Sequence, residues 1–407
     1  MGPKAGGAGI RPGPECDTQA TPAGVDSPRA SLVKTIAMSV YAPIRPACSY
    51  ALNLLGSMAL LLMTLAARPA SASPDRVFWN DFEPAISADA ETWTWIPFDD
   101  AKCGDGSSVG LGVNLTSKSD RVLIYLEGGG ACWSEFYCYF LQTATNFTGY
   151  SESDFVADTA DTTSLAKPGG FFDRSAAENP FKDYSYVYVP YCTGDAHSGD
   201  NIATYGAHTA YHVGFRNMTI FLKRLADTFP QAGRIVLAGS SAGGLGATLN
   251  WWQAQQSFPG VRVDMINDAG AVMPEDVLPM PNTTEQQQRV NWNLAATLPP
   301  GCTACATSFD VIFAFYASEF PSNRGALLSY TQDNVLPFFY SISTSKFTQG
   351  LGELEAQQFA PTTTLKYFNE AGSGHELWFT PALTTNNVTV QQFVTQMVTD
   401  DLNWTSP

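Results

Sequence analysis

Past residue 90 the chain is organised as short apolar runs that stop abruptly at glycine-rich or acidic breaks. Residues 93–116 alternate aromatic and polar positions about Gly104-Asp105-Gly106, the pattern of a β-hairpin. RVLIYL, Arg121–Leu126, is a continuous apolar run of strand length, as expected of a strand buried on both faces, and it ends at Glu127-Gly128-Gly129-Gly130. Residues 184–190 (YSYVYVP) form a second such run. Residues 208–229 space Phe215, Ile220, Phe221 and Leu225 near helical periodicity and predict a helix. The run 235–238 is a strand that breaks at Gly239-Ser240-Ser241-Ala242-Gly243 into a helix-compatible stretch, 242–255. Residues 261–266 give a strand ending at Asn267-Asp268-Ala269-Gly270, and residues 326–330 give another ending shortly before Asp333. Residues 388–402 predict a C-terminal helix with Phe393, Met397 and Val398 on one side. Strands and helices that interleave in this way imply an α/β fold with a mainly parallel sheet and helices on both faces, α/β-hydrolase-like. In such sheets reactive groups gather at strand C-terminal ends, where the glycine-rich breaks fall. No linker or repeat interrupts residues 73–407, which are expected to form a single catalytic domain.

The start of the chain reads differently. Residues 1–37 are rich in Gly, Pro and Ala without apolar periodicity, the signature of a disordered extension or a start assigned upstream of Met38. Residues 38–72 read as a signal peptide: Arg45, an apolar run over 51–67 and a small-residue cleavage site at Ala70-Ser71-Ala72. That run is short for a membrane span and contains Asn53 and Gly56, so no span is expected in the mature chain, and a secreted or periplasmic location is. Six of the eight cysteines lie beyond residue 72, an even number that suits three disulfides in an oxidising compartment. Cys132/Cys138 and Cys302/Cys305 are natural local pairs and would leave Cys103 with Cys192, although spacing alone leaves the connectivity open.

Charge and motif spacing exclude several classes. The first 72 residues hold six basic and three acidic side chains, so the remainder carries a formal charge of −19 against −16 for the whole chain. A surface this acidic repels phosphodiester backbones, and no nucleic-acid partner is expected. Cys302-x-x-Cys305 is half a zinc site without a second half, and His375-Glu376 lacks the second histidine of a zinc-protease helix, so no metal is expected. His208 and His212 stand four apart in a segment that reads as a helix start.

The break after residue 238 has the shape of a nucleophile elbow, a sharp strand-to-helix turn that projects a serine hydroxyl from the end of a sheet. With Ser241 as the nucleophile, the positions two before and two after are Gly239 and Gly243, as so tight a turn requires; with Ser240 both would be alanines. A serine hydroxyl needs a hydrogen-bonded base, and the base needs an orienting carboxylate. Of the four histidines, His375 lies in a Gly/Ser-flanked loop near the C-terminus, where the order serine, acid, histidine places the base. His197 precedes the serine and suits a pocket wall or substrate contact. Asp268 and Asp333 are both acid candidates, with Asp333 slightly favoured because its strand is the last one read before the histidine loop. The Ala242 amide and the glycine run, Gly129 and Gly130, are the expected oxyanion-hole donors.

YLEGGGACW (125–133), VPYCTGDAHSGD (189–200), GSSAGG (239–244), Asp268-Ala269-Gly270, Asp333-Asn334 and Gly374-His375-Glu376 together resemble the pectin acetylesterase/Notum family of serine carboxylesterases. The resemblance implies a triad of Ser241, Asp333 and His375, with Asp268 structural and the hole built around Gly129, Gly130 and Ala242. It implies pairing of Cys103 with Cys192 and of Cys132 with Cys138. It also implies an ester substrate handled without a cofactor, with Trp133 and His197 as substrate contacts. The segments 140–181 and 273–305, which match no one branch of the family closely, are expected to line the acyl pocket. The expected reaction is removal of acetyl groups from an O-acetylated polysaccharide such as pectin. The alternatives are a deacylase for longer, lipid-type esters and a non-catalytic secreted binding protein on the same fold.

Overall fold

The computed structural model describes residues 84–279 and 283–407. The N-terminal extension, the signal segment and the expected domain start at residue 73 lie outside the described residues. The predicted hairpin forms as β1 (Thr94–Lys102) and β2 (Ser108–Asn114), and RVLIYL forms β3 (Arg121–Leu126). After helix α1 (Glu152–Ala160) comes β4 (Ser185–Val189), followed by a separate hairpin of β5 (Asn201–Tyr205) and β6 (His208–His212). Helix α2 (Gly214–Thr228) leads to β7 (Arg234–Ser240), α3 (Ala242–Ser257) and β8 (Val263–Asp268). Helices α4 (Thr283–Asn291) and α5 (Ile312–Glu319) precede β9 (Gly325–Tyr330). Helices α6 (Leu336–Tyr340) and α7 (Thr344–Leu354), strand β10 (Leu365–Glu370) and helix α8 (Val390–Val398) complete the main elements.

Eight strands join in the order β1-β2-β4-β3-β7-β8-β9-β10. The β1–β2 and β2–β4 pairings are antiparallel; from β4 through β10 every pairing is parallel. The fold is therefore α/β-hydrolase-like. Central strands β4, β7 and β8 are buried at every position, which explains why they appear in the sequence as unbroken apolar runs rather than as alternation. No helix among the described residues is long and apolar enough to cross a membrane.

Three details differ from expectation. Residues 208–212 are a strand, not the first turns of a helix: Ala210 and His212 face inward at alternate positions, and Gly206 (φ 59°) makes the turn that pairs β6 with β5. The helix begins only at Gly214, whose amide donates to buried Asp195. The C-terminal helix is confined to residues 390–398, opened by the Thr389 side chain, which accepts from the Gln392 amide, and stopped before Asp400 at φ 61°. Strand β10 gave no recognisable signal. It is an edge strand whose buried positions, Leu365 and Phe368, stand three apart rather than two.

All three expected disulfides form, and Cys103–Cys192 closes a loop of 89 residues. Far from the strand C-terminal ends, buried Arg234 at the start of β7 donates to Asp264 at 2.7 Å and to the Val398 carbonyl at 2.6 Å, fastening α8 to the sheet.

Candidate active site

The elbow adopts the geometry that its glycines foretold. Ser241 sits at φ 53°, ψ −120° between the end of β7 and the start of α3, a backbone state in which a non-glycine residue is strained. A Cβ on Gly239 would lie 2.2 Å from the Gly243 carbonyl oxygen, and one on Gly243 would lie 2.0 Å from that of Leu126. Neither position admits a side chain, which is the steric reason for framing the turn on Ser241. Its amide donates to the Asp268 carbonyl at 2.7 Å, which seats the turn against the end of β8.

Ser241, His375 and Asp333 meet at one rim although 134 residues separate the first two. The Ser241 hydroxyl donates to His375 Nε2 at 2.8 Å, and His375 Nδ1 donates to Asp333 Oδ2 at 2.7 Å. Asp333 is fully buried, and its other oxygen accepts the amides of Val335 and Leu336, both at 2.8 Å, so the carboxylate is held at the start of α6. Burial alone works to lower the pKa of His375. The hydrogen bond and charge of Asp333, with Glu376 and Asp268 nearby, outweigh it and leave the imidazole above its ordinary value.

Asp268 lies elsewhere in the network. It accepts the Ser240 hydroxyl at 2.7 Å and the amides of Leu377 and Trp378 at 2.8 and 3.0 Å, while Tyr125 donates to Ser240 Oγ at 2.9 Å. One carboxyl thus ties the elbow to the segment that follows His375. Burial, reinforced by Glu376, pushes it up to about 7. Burial likewise pushes Glu127, whose Oε2 accepts the Tyr191 amide, up to about 8.

Beside Ser241 opens a mostly apolar cavity of about 50 Å³. Gly130 and Ala242 line it, and Gly129 adjoins them with its carbonyl accepting the Thr145 amide at 2.8 Å. Gly129 and Gly130 have φ of 138° and 75°, which explains the choice of glycine there.

A pectinacetylesterase family model matches residues 93–321, more than half of the sequence. The chain belongs to the pectinacetylesterase family. Among curated proteins it is similar to the palmitoleoyl-protein carboxylesterase notum2 of Xenopus laevis, 30% identical over 153 residues, which is 36% of this chain and 29% of that protein. It is also similar to palmitoleoyl-protein carboxylesterase NOTUM of Schmidtea mediterranea, 32% identical over 154 residues (37% and 27% of the two chains). To the Homo sapiens NOTUM it is 26% identical over 174 residues (41% and 34%). The matched segments span about a third of the length of these relatives. The family match includes the elbow and glycine run but ends before Asp333 and His375, whose placement rests on the geometry above.

Trp133 and His197, expected as substrate contacts, are not among the residues that line the cavity. Trp133 is buried behind the glycine run against Tyr137, with ring centroids 4.0 Å apart. His197 is buried under α3, where Nε2 donates to the Glu127 carbonyl at 2.8 Å and burial lowers its pKa to about 4. Of the two segments expected to line the pocket, 273–305 contributes Gln288 and Trp292, whereas 140–181 contributes nothing. The rest of the wall includes Leu336, Phe339 and Tyr340 of α6, which sequence reasoning missed because a short aromatic run looks the same in a core and in a pocket. His212 lies with Cys132 and Cys138, the potential ligand atoms all within 4.8 Å, but the sulfurs are joined to each other. Both ring nitrogens are also occupied, by the Thr193 carbonyl and the Tyr205 hydroxyl, each at 3.0 Å.

Proposed function

We propose that this chain is an exported serine carboxylesterase that removes short acyl groups, above all acetyl, through an acyl-enzyme. The observation that carries the reading is the unbroken line Ser241–His375–Asp333, at 2.8 and 2.7 Å, opening onto an apolar cavity of about 50 Å³. In the proposed mechanism, His375 takes the hydroxyl proton as Ser241 attacks the ester carbonyl. Negative charge develops on the carbonyl oxygen at the N-terminus of α3, beside Ala242 and the Gly129-Gly130 turn, whose amides are the proposed hole donors. Protonated His375 returns the proton to the leaving alcohol. Water then attacks the acyl-enzyme with the same base, releasing a carboxylic acid and restoring Ser241.

The mostly apolar space beside Ser241, about 50 Å³, supports a short acyl group, and an acetyl group fits it. Trp292 closes the wall and is fixed there, its indole N–H donating to the Cys132 carbonyl at 2.9 Å. Export is supported by the three disulfides, which belong to oxidising compartments. A p-nitrophenyl ester series tests the specificity: kcat/KM is expected to be highest for acetate and to fall at least about tenfold by octanoate, a difference of about 1.4 kcal/mol. A preference for octanoate or longer contradicts it.

A further inference from the structure

A second, larger recess lies outside the catalytic cavity. It has a volume of about 410 Å³ and is lined by Glu135, Phe136, Tyr139, Phe140 and His208. Its floor is the single π-helical turn Phe136–Phe140, tethered by the Cys132–Cys138 disulfide, and its far side is the β5–β6 hairpin. Two large apolar rings stand in solvent here, Phe140 at 76% and Phe136 at 50% exposure, stacked with centroids 5.4 Å apart and planes within 19°. Opposite, Tyr139 stacks on His208 at 4.1 Å. The rings continue toward the catalytic cavity: Phe136 meets Tyr137, Tyr137 meets half-exposed Phe338, and Phe338 meets Phe339, which lines the cavity beside Ser241.

Resting on the esterase reading above, we infer that this recess is a subsite for a neutral, O-acetylated glycan chain, which the aromatic track guides so that an acetyl group enters the cavity beside Ser241. The exposed rings offer flat apolar faces to the C–H faces of sugar rings, and Glu135, Tyr139 and His208 offer hydrogen-bonding groups to their hydroxyls. A hydrocarbon chain laid in the same recess would strip water from the Glu135 carboxylate and give it no partner, a costly exchange. A polyanionic chain is disfavoured twice: no lysine or arginine lines the recess, and the chain as a whole carries a formal charge of −16. The substrate class is thus narrowed away from polygalacturonate toward uncharged acetylated polysaccharides.

The test is Phe140→Ala and Phe136→Ala/Phe140→Ala in the full mature chain. Because both rings are exposed, these changes spare the core. On acetylated glucomannan, kcat/KM is expected to fall about tenfold, through KM, while turnover of p-nitrophenyl acetate, too small to reach the recess, stays unchanged. Titration calorimetry with deacetylated glucomannan should show binding to the parent and its loss in the double variant, a readout independent of turnover. If the parent does not cleave p-nitrophenyl acetate, the esterase reading fails while the calorimetry still decides the subsite. Unchanged glucomannan kinetics and binding in the double variant overturn the inference. So does ring-dependent binding of acetylated polygalacturonate in preference to glucomannan, or of phosphatidylcholine vesicles in place of either glycan.

Discussion

At the scale of single residues, the environments of two aspartates separate their roles. Asp333 faces His375 and has its second oxygen filled by two amides, so it can orient the imidazole and stabilise its charged form. Asp268 faces away, into the joint between elbow and loop. Local reading left the two nearly tied, because both end strands on the same sheet edge and only three-dimensional proximity to His375 distinguishes them; the family resemblance had favoured Asp333. The base must be neutral to accept the serine proton, and its pKa is raised, so activity is lost as pH falls through that raised value. The acid limb of kcat/KM is therefore expected above the ordinary histidine value of about 6.5. Asp333→Asn should shift that limb to lower pH and reduce kcat on the order of 10⁴-fold, since the amide favours the wrong tautomer. A pH–rate profile checks both, and an unshifted limb in the variant contradicts the assignment.

At the scale of elements, the elbow and the histidine loop belong to different parts of the chain and are fastened by one side chain. Asp268→Asn keeps the size but loses an acceptor for one of the two amides of Leu377 and Trp378. At pH 8 the lost amide hydrogen bond is expected to reduce kcat more than it raises KM, with a change in melting temperature smaller than a charged hydrogen bond alone would give, because the neutral amide also relieves the burial that pushes the carboxyl up to about 7. Thermal denaturation with steady-state kinetics measures this; an unchanged melting temperature and kcat would remove Asp268 from the positioning role. Elements buried on both faces, β3, β4, β7 and β8, were legible as continuous apolar runs. Those at the periphery were not. The β5–β6 hairpin lies outside the main sheet, and β10 at its edge buries only two of six positions, so neither carries a clean period. The absence of β10 from the sequence reading also made β9 appear to be the last strand before His375, whereas β10 ends five residues before it.

Across the whole molecule, the elbow, the glycine run and the histidine loop were legible because each pairs a chemical residue with glycines that its backbone geometry demands. The pocket wall was not legible, since Gln288, Trp292, Leu336, Phe339 and Tyr340 come from two helical segments whose convergence on Ser241 is a property of the fold. Misplacing Trp133 and His197 has the same cause: both adjoin chemically important loops in sequence, but their side chains turn into the core. Two of the disulfides pin those loops, with Cys132 two residues from Gly130 and Cys192 joined across 89 residues to Cys103. The central claim is that Ser241 is the nucleophile of the assembled site. It is tested most directly by labelling the folded protein with a fluorophosphonate and mapping the adduct by peptide mass spectrometry. The account predicts a single adduct on Ser241 that disappears, together with p-nitrophenyl acetate turnover, in a folded Ser241→Ala variant; an adduct on Ser240, or turnover that survives in the variant, would contradict it.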